Sequence, residues 1–327
     1  MPVPITSRPI TPRVCGRTPC LSGAILALSV TSGLFAADDS SQLDRDKTEK
    51  AVRAILAKHN ARARAGLWIG GTAGEALYAS GPGETLPTAS AIKTAILIEL
   101  FSRFADTLDQ PPLGLNAILK DDHPAIAHFS PPQRDEVRKA LVGVPVRRLG
   151  GIMMGSVSAS NIVYNAAANV AIALLGGPEE ATRSIRARDP DFAPISVRRY
   201  MLADRKATGD NVATPAALAA VLQRISSRHL SAITEATVVD IRRAMLMKDD
   251  PRRGKVFIKD GDLASDPITC VRTGWCEKPG GGAIVFVVMI AQDEPVARTR
   301  DEAYRDLAAT AGRLTEALLE AAKNTVR

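Results

Sequence analysis

Between residues 92 and 104, apolar side chains stand at Ile92, Ala95, Ile96, Leu97, Ile98, Leu100, Phe101 and Phe104. They fall nearly all round a helical wheel, the pattern of a helix sunk in a core. Upstream, Val52, Ile55, Leu56 and Ala57 share one side of a 47–62 helix. Runs at 65–70 and 75–79, parted by Gly71-Thr72-Ala73-Gly74, predict a hairpin. From 90 to about 224 the pattern is helical, broken at turns such as Ser130-Pro131-Pro132 and Gly176-Gly177-Pro178. Runs rich in Val, Ile and Phe at 255–259, 268–273 and 283–290 predict three late strands, and 301–323 a closing helix.

This order predicts an α+β fold. An antiparallel sheet is built from both ends of the chain (47–86 and 225–327) and flanked by the N- and C-terminal helices, with an all-helical subdomain (87–224) inserted between. A cleft between the two parts is a natural place for a site.

Composition adds compartment and excludes some partners. At 327 residues and 46% hydrophobic content the chain can bury a sizeable core. Arg8, Arg13 and Arg17, an apolar run over 21–35, then Ala36 and Ala37 follow the order of a secretory signal peptide. That reading assigns 1–36 to the signal and 37–327 to a secreted or periplasmic catalytic domain. The run is short and diluted by Ser, Gly and Thr for a span that needs roughly 20 apolar residues, so no stable membrane span is expected after cleavage. Loss of the leader removes three arginines and no acid, so the formal charge of +7 falls to +4. With 4% aromatic residues and no basic cluster interleaved with them, nucleic-acid binding has no support. The four histidines lack ligand spacing, so neither a metal nor another cofactor is expected. Cys270 and Cys276 remain after the leader, and export permits oxidation. On one extended strand they would lie too far apart to bond without a sharp turn, and the pairing stays open.

The candidate chemistry starts where the buried helix begins. Ser90 and Lys93 are three apart, placing a hydroxyl and an amine on one helical face. Desolvation would lower the lysine's pKa until it could accept the hydroxyl's proton. The competing readings are a serine that caps the helix and a lysine whose stem reaches solvent. Two other stretches fall near the expected cleft. Arg272-Thr273-Gly274 ends a predicted strand with a cation, a hydroxyl and a glycine, a combination that can hold a carboxylate. Ser156-Val157-Ser158-Ala159-Ser160-Asn161 precedes a helix carrying Asn165 and Asn169, although serines there also cap helices and asparagines bond nearby backbone.

Taken together, S-x-x-K, a Ser/Asn loop and a K-T-G-like strand resemble the class A beta-lactamase and penicillin-binding serine-hydrolase superfamily. The resemblance extends to the hairpin before Ser90, Asn165 to Asn169, Leu175-Gly176-Gly177-Pro178, Ala213-Thr214-Pro215 and the final helix, so it covers nearly all of 37–327. It implies a monomer acting on a small molecule or cell-wall peptide, with Ser90 acylated and Lys93 as base or proton relay. Backbone N–H groups of Ser90 and Trp275 would form the oxyanion hole. Thr273, beside Gly274, would bind the substrate carboxylate in the positive field of Arg272. Ser158 would pass a proton to the leaving amine, and Asn161 would hold the substrate amide.

Three departures modify this expectation. Arg272 keeps the charge of the family's lysine but cannot release a proton. The Ser-Asp-Asn loop is not intact: a gapless count puts Val163-Tyr164-Asn165 there, whereas one extra helical turn puts Ala159-Ser160-Asn161 there with Ser158 nearby. The serine-rich turn before a helix favours the second register. The family's deacylating glutamate has no counterpart in 197–204, where Asp204 is the nearest carboxylate and reads as a salt-bridge partner of Arg205 or Arg199. Without that base the acyl-enzyme should be long-lived, since general-base assistance contributes about 10²- to 10⁴-fold. A beta-lactamase-like hydrolase leads, with a slow cell-wall peptidase or transpeptidase and a catalytically silent binding protein as alternatives.

Overall fold

A computed structural model describes residues 43–59, 63–252, 254–265, 267–293 and 299–323. The leader expected over 1–36 lies outside the described residues. The chain runs through α1 (Arg45–Leu56) into β1 (Ala63–Gly70) and β2 (Ala76–Ser80), the predicted hairpin. The short strand β3 (Leu86–Pro87) then leads to α2 (Lys93–Arg103). Further helices follow as α3 (Leu115–Ile118), α4 (Pro131–Leu141), α5 (Val146–Met154), α6 (Asn161–Leu174), α7 (Pro178–Arg188) and α8 (Arg205–Thr208). After β4 (Val212–Ala213) come α9 (Pro215–Ser226) and α10 (Glu235–Met245). The late strands are β5 (Leu246–Asp250), β6 (Gly254–Ile258), β7 (Gly261–Leu263), β8 (Ile268–Glu277) and β9 (Ala283–Gln292), and α11 (Arg300–Ala322) closes the chain.

The sheet order is β2-β1-β9-β8-β6-β5, with β7 also paired to β8 and every pairing antiparallel. Both chain ends supply it, as the pattern predicted. β9 is central and buried along its whole length, which explains its unbroken apolar run. Ile284, Phe286, Val288 and Ile290 join Val52, Leu307 and Leu314 in a core shared with α1 and α11. Val285, Val287 and Met289 point the other way, into the core built with α2, α9 and the helical layer. Alternation along one strand thus ties the two layers together.

The helical layer extends beyond residue 224, because Val238, Ile241 and Met245 of α10 are buried in the same core as α2 and α5. α2 is enclosed from Lys93 to Phe101, as expected of a helix apolar on every side. Strands β5 and β7 escape the sequence pattern, one being polar and the other three residues long. Cys270 and Cys276 are free thiols on the one extended strand β8. Six residues of strand span about 20 Å, well beyond disulfide reach. Among the described residues no helix is long and apolar enough to cross a membrane.

Candidate active site

Ser90 sits in a single 3₁₀ turn, Ala89–Ile92, that runs directly into α2. No side chain caps that turn, so Ser90 is not serving as the cap. The segment before it is pinned: β3 pairs with β4, and Thr88 donates both its N–H and its hydroxyl to Asn211 O, at 2.9 and 3.0 Å. Ala89 has φ +46°, a left-handed conformation unfavourable for a residue with a Cβ. The strain is located immediately before the candidate nucleophile.

Lys93 does not reach solvent; it is 0% exposed. Its Nζ donates to Asn165 Oδ1 at 3.0 Å and lies 3.2 Å from the centroid of the Tyr164 ring. Burial, reinforced by the positive charge of Lys259, pushes its pKa well below the ordinary lysine value. Lys259, also buried, donates to Tyr164 Oη at 2.6 Å and to Met154 O at 3.0 Å. Met154 is the last residue of α5, so this ammonium sits at the negative end of a helix dipole. The Tyr164 side chain thus meets both lysines, its ring face at Lys93 and its hydroxyl at Lys259. Asn165 completes the floor, its Nδ2 donating to Asn161 O and Oδ1 at 2.9 and 3.0 Å.

The strand next to Ser90 is β7. A Cβ added to Gly261 would lie 2.5 Å from Ser90 N and 2.8 Å from Thr88 O, so only glycine permits this approach. Lys259-Asp260-Gly261 thus occupies the position anticipated for the K-T-G-like strand. Arg272-Thr273-Gly274-Trp275 belongs instead to β8, one strand further in. Thr273 is 2% exposed and spends its hydroxyl on Lys259 O at 2.5 Å. Gly274 lies against Phe257 O, and Trp275 is fully buried, stacked on Phe257 with ring centroids 4.3 Å apart. Neither the Thr273 hydroxyl nor the Trp275 amide faces Ser90, because β6 and β7 cover β8 on that side. Arg272 donates to Asp262 Oδ1 at 2.8 Å and lies 3.7 Å from Asp260 Oδ2. Burial pushes the Asp260 carboxyl up to about 6 despite Arg272, although its side chain is 40% exposed.

The Ser/Asn register also changes. Ser160 caps α6 by accepting from Val163 N at 3.2 Å, and Ser158 is exposed and outside the cleft lining. The gapless register, Val163-Tyr164-Asn165, is the one that meets the lysines. Asn161 does line the cleft, a space of about 340 Å³ bordered also by Ser90, Tyr164, Asp210 and Asp262.

Its remaining wall is the loop from Arg198 to Asn211. Asn169, fully buried, holds it by accepting from Met201 N at 2.5 Å and donating to Met201 O at 3.1 Å. Asp204 caps α8 through Lys206 N at 2.9 Å and forms no salt bridge among the described residues. The ion-pair partner of Arg199 and Arg205 is Asp210, at 3.0 and 2.5 Å. Both carboxylates that line the cleft, Asp210 and Asp262, are thus held by arginines.

The family model of the beta-lactamase enzyme family matches residues 47–318. Among solved structures, a class A beta-lactamase from Bacteroides cellulosilyticus superposes with TM-score 0.60 at 13% identity, over 86% of this chain and 100% of that one. A beta-lactamase from Sphaerobacter thermophilus gives 0.59 at 17%, over 85% and 97%. PBP-A gives 0.60 at 17%, over 84% and 96%. At these identities the likeness shows a shared fold. No curated protein matches the chain by sequence.

Proposed function

Because the chain belongs to the beta-lactamase enzyme family and is a serine hydrolase of that superfamily, we propose that it is exported and forms an acyl-enzyme at Ser90 with an amide of beta-lactam or peptidoglycan-peptide type. The observation that carries this reading is the enclosure of Lys93, one helical turn from Ser90, with its pKa lowered by burial and by Lys259. Export rests on the leader-like pattern of residues 1–36.

In the proposed step Ser90 Oγ attacks the carbonyl carbon and its proton passes to Lys93 Nζ. The amides of Ser90 and of Asp262, the residue after Gly261, are the candidate oxyanion donors. As the C–N bond breaks, the leaving nitrogen takes a proton from Tyr164 Oη. Lys259 Nζ, which donates to the phenol oxygen at 2.6 Å, recharges it, so the proton delivered to the leaving amine is drawn from Lys259 while the one lost by Ser90 rests on Lys93, and the charge of the site is unchanged. Asn161 at the cleft wall suits the substrate amide. Deacylation needs a water activated by a base, and the cleft carboxylates Asp210 and Asp262 are engaged by arginines. The expected behaviour is stoichiometric acylation followed by slow turnover.

The test is intact-mass analysis after exposure to a fluorescent penicillin and, separately, to a neutral fluorophosphonate. One adduct per chain on Ser90, absent from Ser90→Ala, is expected, with a burst rather than sustained hydrolysis of a chromogenic cephalosporin. No adduct with either reagent, or equal labelling of Ser90→Ala, would refute acylation at Ser90.

A further inference from the structure

The β7 edge has a charge arrangement opposite to that needed for a substrate carboxylate. Ile258 pairs with Gly274 and Gly261 with Val271 in one unbroken register, which sets Asp260 directly across from Arg272. Residues opposite each other on an antiparallel pair share a face, and Asp262, two further on, shares it as well. Both carboxylates converge on the Arg272 guanidinium, which also donates to Val271 O at 2.9 Å and is 14% exposed. The cation that the motif would offer to a ligand is thus already enclosed by two acids of its own chain, and Asp262 lines the cleft beside Ser90.

The other cations near the cleft are similarly occupied. Arg199 and Arg205 hold Asp210, and Arg205 also donates to Ser265 O at 3.0 Å. Lys93 and Lys259 are buried with hydrogen bonds to Asn165, Tyr164 and Met154. The Thr273 hydroxyl, a neutral alternative, is bonded to Lys259 O. A ligand carboxylate laid along β7 would meet Asp262 with its countercharge already taken. An N–H group in the same place would find an acceptor.

We propose that Asp260 and Asp262 make this edge select acyl donors whose group beside β7 is an amide or amine rather than a carboxylate. This rests on acylation at Ser90, and the test separates the two. The full chain is mixed with a neutral fluorophosphonate, then with two depsipeptide thioesters identical except that one ends in a carboxylate and the other in a carboxamide. Acyl-enzyme formation is followed by intact mass. The phosphonate should label Ser90, and the carboxamide donor should acylate at least about tenfold faster than the carboxylate donor, as like-charge juxtaposition requires. Asp262→Asn and Asp260→Thr should each shrink or invert that ratio by releasing Arg272, the ratio of the two donors within each variant being the readout. Phosphonate labelling together with equal or faster acylation by the carboxylate donor would overturn the selectivity and leave acylation standing. So would an unchanged ratio in both variants. Loss of phosphonate labelling in the wild type would refute acylation itself and this inference with it.

Discussion

Gly261→Ala tests the contact on which the geometry of the site depends. The added Cβ would stand 2.5 Å from Ser90 N, where ordinary contact begins at 3.4 Å, an overlap of 0.9 Å. Thr88 O at 2.8 Å and Ala89 Cβ at 2.9 Å block escape to either side. Two of these three atoms are backbone, in a segment held by the β3–β4 pairing and by the bonds of Thr88 to Asn211. Relief must therefore come from β7 moving away from Ser90 by most of an ångström. Overpacking of this kind costs about 1–3 kcal/mol. A displacement near 1 Å at reacting groups lowers rates by about 10²-fold. Phosphonate labelling of Ser90 should thus slow by about two orders of magnitude while the protein still folds, with thermal unfolding shifted down by several degrees. Gly83→Ala, where the added atom meets nothing within 4 Å, is the matched control and should change neither readout. Labelling of Gly261→Ala at the wild-type rate would refute the close approach of β7 to Ser90.

Replacing Lys93 by Met should reduce labelling by about 10²- to 10⁴-fold. It should also alter the pH dependence of stability. The folded pKa of Lys93 lies well below 10.5, so unfolding takes up a proton between that lowered value and 10.5, and wild-type stability rises with pH across the window. Denaturant midpoints of Lys93→Met, measured at pH 7 and pH 9, should lose that slope. Tyr164→Phe removes the hydroxyl bonded to Lys259 Nζ and should slow acylation by amides more than labelling by a fluorophosphonate, whose fluoride leaves without a proton; equal slowing would count against the relay. Asn169→Ala strips Met201 N of its partner, at about 1–3 kcal/mol for the orphaned buried group, while Met201 O keeps its bond to His128, and limited proteolysis should then cut the 198–211 loop faster than in the wild type.

Much of the site lay beyond the sequence for a local reason. Lys259 ends a predicted strand, where a lysine ordinarily reads as solvated, and only its packing against Met154 of α5 and Tyr164 of α6 encloses it. Arg272-Thr273-Gly274 resembled the expected strand motif more closely, but motif content does not say which strand lies at the edge. Tyr164 was legible only as one of two registers, because a serine-rich turn before a helix is equally a cap, and Ser160 is that cap. Asp210 was missed as the arginine partner because Asp204 is nearer in sequence, while the loop folds back to bring Asp210 to Arg199 and Arg205.

What the sequence by itself determined is what depends on periodicity and short spacing. The all-round apolar pattern of α2 and the unbroken run of β9 specify burial wherever they pack, and Ser90 and Lys93 are held one turn apart by the helix itself. The tertiary structure alone decided which strand borders Ser90, which hydroxyl meets the lysines and which acids neutralise Arg272. Those outcomes depend on contacts between segments far apart in the chain, such as Gly261 with Ser90 and Met154 with Lys259, and no local pattern encodes the register in which distant segments meet.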